Sequence, residues 1–196
     1  MISCIVLSAG LSSRFGSPKA LALINGQTII ERAQQMLVRS NINNIIIILG
    51  AEFERIKPYI LKHKKVKVVY NKDYNFGQTS SFQSGLQSLD KDSKGIMLLP
   101  IDFPSVKTET INSLIKEFYL KVPKILIPQY QFRKGHPPIF DASLKKNFLN
   151  LQDDKGLNTV QRQHKKDIFL VETIDPGVIE TFNTGQELDK IKTFLI

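Results

Sequence analysis

The chain has 196 residues, 42% of them hydrophobic and 23% charged, which is typical of a soluble globular protein with one sizeable core. No apolar run approaches the roughly 20 residues that span a bilayer, and no signal peptide is predicted at the N-terminus. The net charge of +9 favours anionic partners, either nucleotides or nucleic acid. The single cysteine, Cys4, cannot form an internal disulfide, and a buried thiol there suits the cytoplasm, where we expect the protein to reside.

Apolar, β-branched runs alternate with segments of helical periodicity along most of the chain. In chain order, the predicted elements are a strand at 2–7, a helix at 28–39, a strand at 45–49, a helix at 53–61, a strand at 66–70, a helix at 79–89, a strand at 96–99, a helix at 108–119, a strand at 124–127, a hairpin or extended segment at 130–140, helices at 141–151 and 156–164, a strand at 168–171 and a helix at 185–194. We expect Thr28 and Glu31 to form a capping box at the start of the first helix, and Pro58 to weaken the second.

This alternation predicts an α/β fold in which right-handed crossovers connect the strands of a mainly parallel sheet. We therefore expect residues 1–196 to form one three-layer α/β/α domain with a Rossmann-like sheet. Ligands of such sheets bind outside the carboxyl ends of the strands, so the functional residues should directly follow strands.

A loop rich in glycine and serine follows the first predicted strand and contains two cations, Arg14 and Lys19. A glycine such as Gly10 just past a buried strand leaves backbone N–H groups where an anion can approach closely. Arg14 can bind two phosphate oxygens at once, and Lys19 supplies a mobile point charge. These features indicate a triphosphate-binding loop. The spacing matches neither G-x-x-x-x-G-K-[ST] nor G-x-G-x-x-G, however, and the alternative is a solvated loop with two surface cations.

The loop resembles the pattern L-A-x-G-x-S-x-R-M-G-x-x-K of the MobA-like nucleotidyltransferases, with Ser8 for Ala and Phe15 for Met as departures. This resemblance implies a fold of the nucleotide-diphospho-sugar transferase type and a single MobA-like NTP transferase domain. It also implies that the loop binds a nucleotide and that Arg14 and Lys19 are catalytic. The nucleotide-binding residues that it implies in the loop are Leu7, Ser8, Ala9, Gly10, Ser12, Arg14 and Lys19.

Asp102 lies just past the predicted strand at 96–99, in the segment Pro100-Ile101-Asp102-Phe103-Pro104. A carboxylate near a phosphate loop is well placed to bind Mg²⁺, which commonly bridges one or two protein groups to substrate phosphates. The alternative is a helix cap or a loop carboxylate bonded to the backbone. The segment resembles the P-x-D-x-P metal segment of the same family, which implies that Asp102 is a catalytic, nucleotide-contacting Mg²⁺ ligand.

Asn183 lies where the family has an N-T-P-E-D-L or D-T-P-E-D-L segment, although Gly185 stands here for the proline. The match implies a second Mg²⁺ ligand. The alternative is an N-cap of the last helix, which either Asn183 or Thr184 could provide.

Two further segments have counterparts in the family. Residues 77–82 resemble its G-x-x-S-S-L substrate loop, which implies nucleotide contacts from Gly77, Ser80 and Ser81, whereas capping of the following helix by Thr79 or Ser80 is the alternative. Residues 135–140 resemble the G-H-P-x-x-F segment of the molybdenum cofactor cytidylyltransferase branch, and residues 153–156 resemble its G-D-x-G. The acceptor-binding residues that these matches imply are Gly135, His136, Pro137 and Asp154.

The implied reaction is Mg²⁺-dependent transfer of a nucleoside monophosphate from an NTP to a phosphate-bearing acceptor, with release of pyrophosphate. We favour CTP as donor and a molybdopterin-type cofactor as acceptor, because Ala9 replaces a glycine of the GTP-using branch and narrows the base slot, and because the G-H-P segment is present. The alternatives are a GTP-dependent guanylyltransferase, a sugar-phosphate nucleotidylyltransferase, and a basic nucleotide- or nucleic-acid-binding protein that is not an enzyme. We expect no nucleic acid or membrane partner, and we expect a molybdoenzyme or its chaperone to receive the product.

Overall fold

The computed structural model describes residues 1–152 and 155–194. Within these residues the fold is built on an eight-stranded mixed sheet, and runs of Ile, Val and Leu form its central strands. The strands are β1 (Ile2–Ser8), β2 (Leu23–Ile24), β3 (Gln27–Thr28), β4 (Asn44–Leu49), β5 (Val66–Tyr70), β6 (Gly95–Pro100), β7 (Ile125–Tyr130), β8 (Arg133–Lys134), β9 (Ile139–Asp141) and β10 (Ile168–Glu172). The helices are α1 (Ile29–Arg39), α2 (Phe53–Ile56), α3 (Gln78–Gln87), α4 (Thr108–Lys121), α5 (Lys145–Leu149), α6 (Asn158–Gln163) and α7 (Gly185–Phe194).

The eight-stranded sheet has the strand order β10-β7-β9-β6-β1-β4-β5, and β8 forms a hairpin with β7. Strands β2 and β3 form a separate hairpin. Strand β1 lies between β4 and β6 and is parallel to both, and β4–β5 and β7–β10 are also parallel pairs. Strand β9, which is inserted between β6 and β7, and the short β8 run antiparallel to their neighbours in this sheet. The predicted three-layer α/β fold with a mainly parallel sheet is therefore confirmed.

Successive side chains along each strand point to opposite faces of the sheet, and a different set of helices covers each face. On β1, Cys4 and Val6 pack in the layer that contains α1 and α4, whereas Ile5 and Leu7 pack in the layer that contains α3 and α5. Every residue of β1 is buried, as expected for a strand covered on both faces. Burial also raises the pKa of the Cys4 thiol.

Most helix and strand boundaries agree with the sequence prediction, and the differences have local causes. The capping box is present, since the Thr28 side chain accepts from the Glu31 N–H and the Glu31 carboxylate accepts from the Thr28 N–H. The predicted helix at 53–61 is α-helical only as far as Ile56 and continues as a 3₁₀ turn that contains Pro58. The β2–β3 hairpin was not predicted, although its Asn25-Gly26 turn, with both residues at positive φ, is a typical hairpin signal.

One structural carboxylate holds the start of α4 and was not singled out in the sequence. Asp175 is 2% exposed and accepts hydrogen bonds from the backbone N–H of Lys107 at 3.0 Å, from the N–H of Gly177 at 3.0 Å and from the hydroxyl of Thr110. It therefore caps α4 from a distant part of the chain and connects it to the segment after β10. No helix in the described part of the chain combines the length and the apolar character needed to cross a membrane.

Candidate functional site

A cavity of about 270 Å³ opens at the carboxyl ends of β1 and β6, the position that parallel sheets use for ligands. The loop that follows β1 provides much of its wall. The rest comes from the end of β6 with Asp102, from Ile56 of α2, from the start of α3 with the turn before it, and from Asn183 before α7. Of the predicted site residues, the cavity brings together Leu7, Ser8, Ala9, Gly10, Ser12, Arg14, Lys19, Gly77, Ser81, Asp102 and Asn183.

The loop after β1 folds back on itself through Ser12, which adopts a φ of +53°. Its carbonyl accepts from the N–H groups of Phe15 and Gly16 at 2.9 and 3.1 Å, and its hydroxyl accepts from the N–H of Lys19 at 3.2 Å. Gly16, with φ at +80°, completes the turn. The two cations of the loop therefore both line the cavity, with Arg14 exposed and Lys19 largely covered.

The ammonium group of Lys19 contacts the two predicted metal ligands. Its Nζ atom lies 3.2 Å from Oδ2 of Asp102 and 3.1 Å from Oδ1 of Asn183. The Lys19 and Asp102 side chains are 13% and 22% exposed, so solvent screens this ion pair only in part. Lys19 also lies over the ring of Phe182, 5.1 Å from its centroid. Residues from three distant parts of the chain therefore meet at one point.

The segment before α7 is held in place by aromatic contact and by a capping box. The rings of Phe15 and Phe182 meet edge to face with centroids 5.3 Å apart, which joins the loop after β1 to this segment. The Thr184 hydroxyl accepts from the Glu187 N–H at 3.3 Å, and the Glu187 carboxylate accepts from the N–H groups of Asn183 and Thr184. Thr184 is thus the side-chain cap of α7, and the side chain of Asn183 faces Lys19 instead.

The donor set at this point suits Mg²⁺. The oxygens of Asp102 and Asn183 converge on one cationic group, the Lys19 ammonium, which occupies a position between them. No cluster of three or more His, Cys, Asp or Glu side chains that could hold a metal occurs within residues 1–152 and 155–194. One carboxylate and one amide oxygen match the few protein ligands that Mg²⁺ takes when substrate phosphates and water supply the rest.

The start of α3 forms another part of the wall. Gly77 has φ of +86° and ψ of −153°, a conformation that essentially only glycine adopts. No side chain of the described residues caps the N-terminus of α3, and Gln78 lines the cavity there. Neither Thr79 nor Ser80 therefore caps α3 with its side chain, which was the alternative role that the sequence offered for them.

Two serines of this helix, Ser80 and Ser81, make internal hydrogen bonds. The amide of Asn71, which is buried directly after β5, donates to the hydroxyls of Ser80 and Ser81 at 3.1 Å each. Ser80 also donates to the carbonyl of Asp73 at 2.8 Å, and it lies outside the residues that line the cavity. Asn71 was not predicted to support the site, although it directly follows a strand, as other polar site residues do.

Gly50, which was also missed, allows the cavity wall to close at the end of β4. A Cβ atom on Gly50 would lie 2.6 Å from the carbonyl oxygen of Ala9 and 2.6 Å from the Cβ of Tyr74. Any side chain here would push these two wall segments apart. Gly50 directly follows a buried strand, which is the signal by which it could have been found.

The predicted acceptor-binding segment lies outside the cavity lining and contacts the segment after β10. A Cβ on Gly135 would lie 2.1 Å from the Val178 carbonyl oxygen, and that carbonyl accepts from the N–H of His136 at 2.7 Å. The His136–Pro137 peptide bond is cis. Asp154, the remaining predicted acceptor-binding residue, lies outside the described residues.

The imidazole of His136 is close to Asp102 and packs on Phe103, with ring centroids 4.5 Å apart. Burial lowers the pKa of His136, and the charge of Asp102 and a hydrogen bond with the Leu98 backbone oppose this shift. Its Nδ1 atom is buried without a hydrogen-bond partner in the described residues. Asp102, which lines the cavity, therefore also interacts electrostatically with His136 of the 135–137 segment.

Comparison with known proteins finds a family model, related sequences and solved structures that are similar to this chain. The model of the MobA-like NTP transferase domain matches residues 4–168. A nicotine blue oxidoreductase from Paenarthrobacter nicotinovorans is 25% identical over 97% of this chain and 93% of its own. A probable molybdenum cofactor guanylyltransferase from Bacillus cereus is 33% identical over 62% of this chain, and the match spans 60% of that relative. A nucleotidyl transferase structure from Methanothermobacter thermautotroptrophicus shares the fold, with a TM-score of 0.83, 21% identity and coverage of 99% and 97% of the two chains.

Proposed function

We propose that this chain, which belongs to the MobA-like NTP transferase family, transfers a nucleoside monophosphate from an NTP to a phosphate-bearing acceptor and releases pyrophosphate. The observation that carries the proposal is the convergence of Lys19, Asp102 and Asn183 in the lining of a cavity to which a glycine-bearing loop contributes Arg14. The relatives named guanylyltransferase support the same reaction class.

In this reaction an oxygen of the acceptor phosphate forms a bond to the α-phosphorus of the NTP, and the bond between that phosphorus and the bridging oxygen to the β-phosphate breaks. The step needs in-line positioning and neutralisation of charge more than covalent help. Arg14 and Lys19 would contact the β- and γ-phosphates and stabilise the charge on the departing pyrophosphate. The acceptor phosphate is already an anion near neutral pH, so no side chain has to remove a proton from it.

Asp102 and Asn183 would hold a Mg²⁺ ion. When bound, this ion would neutralise the charge on the phosphate oxygens and orient them. The Lys19 side chain, which now pairs with these two residues, would be free to move towards the phosphates.

We favour CTP as the nucleotide, and GTP is the alternative. Ala9 lines the cavity, and its methyl group, in place of the glycine of the GTP-using branch, would narrow the base slot and so suit a pyrimidine. One methyl group discriminates by only about 1–3 kcal/mol. The relatives named molybdenum cofactor guanylyltransferase favour GTP about as strongly, and they also support a molybdopterin-type acceptor that residues 135–137 would help to hold.

The test is pyrophosphate release from CTP, GTP, ATP and UTP with Mg²⁺, in the presence and absence of molybdenum cofactor. We expect release that depends on both the acceptor and the metal, with CTP the best donor. The variant Asp102→Ala should lose release while it keeps the wild-type melting temperature, and Asp92→Ala, which removes an exposed carboxylate, is its control.

Absence of pyrophosphate from every nucleotide would end the proposal. A redox change of nicotine blue without pyrophosphate release would instead group this chain with the oxidoreductase to which it is 25% identical.

A further inference from the structure

Strand β10 lies at one edge of the eight-stranded sheet and pairs with β7 on its inner side. The N–H of Thr173, directly after the strand, donates to the Gln129 carbonyl of β7 at 2.8 Å. Backbone groups of alternate residues point to opposite sides of a strand, so Ile168, Leu170 and Glu172 direct their N–H and C=O groups away from β7. In the described part of the chain these outward groups make no backbone hydrogen bond. The edge therefore offers three donor–acceptor pairs to a further strand.

The opposite edge of the sheet, β5, carries features that discourage the addition of a strand. Lys67 is exposed in the middle of β5, and the exposed Lys62 and Lys64 precede the strand. Lysines on an edge strand oppose association because a second strand would have to approach their charges. The N–H of Val66, at the start of β5, is already bonded to the carbonyl of His63 at 2.9 Å.

The β10 edge has no such protection. The sequence from Ile168 to Val171 contains neither a charged residue nor a proline. Phe169 and Val171 pack against the apolar cluster that contains α1 and α4, whereas Leu170 is 39% exposed. An open, apolar edge strand of this kind pairs readily with another strand. We therefore asked which strand matches it.

The outward residues of β10 match a second copy of the same strand. When two β10 strands pair antiparallel, Leu170 can face Leu170 of the second copy, and Ile168 then faces Glu172. Each of these facing residues exchanges both of its N–H···O hydrogen bonds with the other, so the outward groups of both strands are satisfied. A two-fold axis through Leu170 generates this pairing, as in other isologous interfaces.

The charges at the two ends of β10 are also complementary in this arrangement. Antiparallel pairing brings the end of one strand beside the start of the other, so Glu172 comes close to Lys165 and Lys166 of the second copy. All three side chains are exposed. Oε1 of Glu172 accepts from the Gln131 N–H at 2.9 Å, which leaves Oε2 for a cation. Ile174, which is 98% exposed, follows Glu172 and would lie at the same end of the interface.

The apolar surface extends from this edge onto the end of α4. The Nζ atom of Lys121 lies 5.9 Å from the ring centroid of Phe169, so the last turn of α4 runs beside β10. Leu120 and Val122, the neighbours of Lys121 in the chain, are both exposed. Association of two copies along this edge would remove apolar surface from water as well as form hydrogen bonds.

We infer that this chain forms a homodimer in which two β10 strands pair antiparallel about Leu170 and continue the sheet from one copy into the other. The net charge of +9 makes two copies repel each other, so association is favoured where opposite charges meet, as they do at both ends of the paired strands. The inference is independent of the proposed function, because it requires neither a nucleotide nor turnover.

The mass of the protein in solution tests the inference, measured by light scattering after size-exclusion chromatography over a series of concentrations. We expect the wild type at twice the chain mass of 22.3 kDa. Leu170→Lys would place two ammonium groups opposite each other at the two-fold axis, and it should have the mass of one chain with a wild-type circular dichroism spectrum. The matched control is Leu23→Lys, the same substitution at an exposed leucine of the separate β2–β3 hairpin, and it should remain a dimer.

Cross-linking of Leu170→Cys tests the register of the pairing. The two Cα atoms at position 170 would lie about 5.5 Å apart, a separation at which a disulfide forms. Mild oxidation with diamide should therefore link two copies of this variant, and a reducing agent should separate them. Lys67→Cys, exposed on the opposite edge, is the control and should not cross-link. The native Cys4 is buried and should not react in either variant.

A wild type with the mass of one chain at every concentration would overturn the inference, and the β10 edge would then be open to a strand of a different protein. A dimer that Leu170→Lys does not dissociate would also overturn it, because the contact would lie elsewhere. Equal cross-linking of Leu170→Cys and Lys67→Cys would show random collision and no defined register. None of these results bears on the release of pyrophosphate, so the proposed function is tested separately.

Discussion

The ammonium of Lys19 lies 3.2 Å from Oδ2 of Asp102, although 83 residues separate the two in the chain. The same ammonium donates a second hydrogen bond, to Oδ1 of Asn183, at 3.1 Å. A protein cation thus occupies the place where these two oxygens converge. A divalent ion and Lys19 cannot both fill that place, so they compete for it unless the phosphates of a nucleotide attract the ammonium away.

This competition predicts that Lys19→Met binds a divalent ion more tightly than the wild type in the absence of nucleotide. We expect a gain of about fivefold or more in affinity for Mn²⁺, measured by calorimetry, because the loss of one partly screened ion pair frees the Asp102 carboxylate. With an NTP present, Lys19→Met should lose turnover by about 10²–10³-fold, as when one stabilising group is removed from a transition state. Arg14→Met, which removes an exposed cation of the same loop, is the control. If the two variants bound Mn²⁺ equally tightly, the gain in affinity would come from the lower net charge and not from the loss of the Lys19–Asp102 ion pair.

Gly10 provides a test of close ligand approach that does not disturb the fold. A Cβ at Gly10 would meet no atom within 4 Å among the described residues, and its φ is not in the left-handed region. We therefore expect Gly10→Ala to melt within a degree or two of the wild type. It should nevertheless bind NTP at least several-fold more weakly, because the methyl group blocks the approach of phosphate to the backbone. Calorimetry with CTP measures the loss, and unchanged affinity would exclude a backbone contact at this residue.

Gly77→Ala is the contrasting variant for that experiment. Gly77 also lines the cavity with open space around a Cβ, but its φ of +86° strains any other residue. The Gly77→Ala variant should therefore have a free energy of unfolding about 1–3 kcal/mol lower than the wild type, measured by denaturant titration without ligand. Similar stability losses in Gly10→Ala and Gly77→Ala would contradict this distinction.

Asp175→Ala should destabilise the protein without a direct effect on the site. The carboxylate accepts from two backbone N–H groups and one hydroxyl, and alanine would leave these donors buried and unpaired. We expect a loss of about 2–4 kcal/mol in the free energy of unfolding, measured in urea. The exposed Asp92→Ala should change it by less than about 0.5 kcal/mol. A wild-type urea midpoint for Asp175→Ala would show that α4 does not depend on this cap.

The pKa of His136 predicts a loss of stability in mild acid. Burial lowers this pKa from its ordinary value of 6.5, so the unfolded chain takes up a proton on His136 at a higher pH than the folded protein does. The neutral folded form therefore contributes stability that is fully present above about pH 6.5 and is lost as the pH falls below it towards the folded pKa. We expect the urea midpoint of the wild type to fall more between pH 7 and pH 5 than that of His136→Gln. Parallel pH profiles for the two proteins would refute this assignment.

Local patterns were sufficient for the order of strands and helices and for the position of most of the site. The β-branched run before Gly10 and the run before Asp102 form buried strands, and the carboxyl ends of neighbouring parallel strands necessarily lie together. The capping box of Thr28 and Glu31 was equally clear, because both residues and both hydrogen bonds lie within one turn of helix.

Other features could not be decided from local sequence. Asn183 and Thr184 are both good N-caps, and only the position of Lys19 shows which of them faces the cavity. The hydroxyl of Ser80 could have faced a ligand, but Asn71 and Asp73 surround it. The antiparallel strand β9 has only three residues, too few for a periodic pattern, and its place depends on its two neighbours.

The sequence by itself determined the α/β architecture and the positions of the glycine- and serine-rich loop after β1 and of the carboxylate after β6, because each depends on contacts between residues close in the chain or on the common edge of parallel strands. Only the tertiary structure decided that Asn183 meets Lys19 across 164 residues and that Asp175 caps α4. These relationships depend on how distant segments pack, and no local periodicity records which side chains that packing brings together.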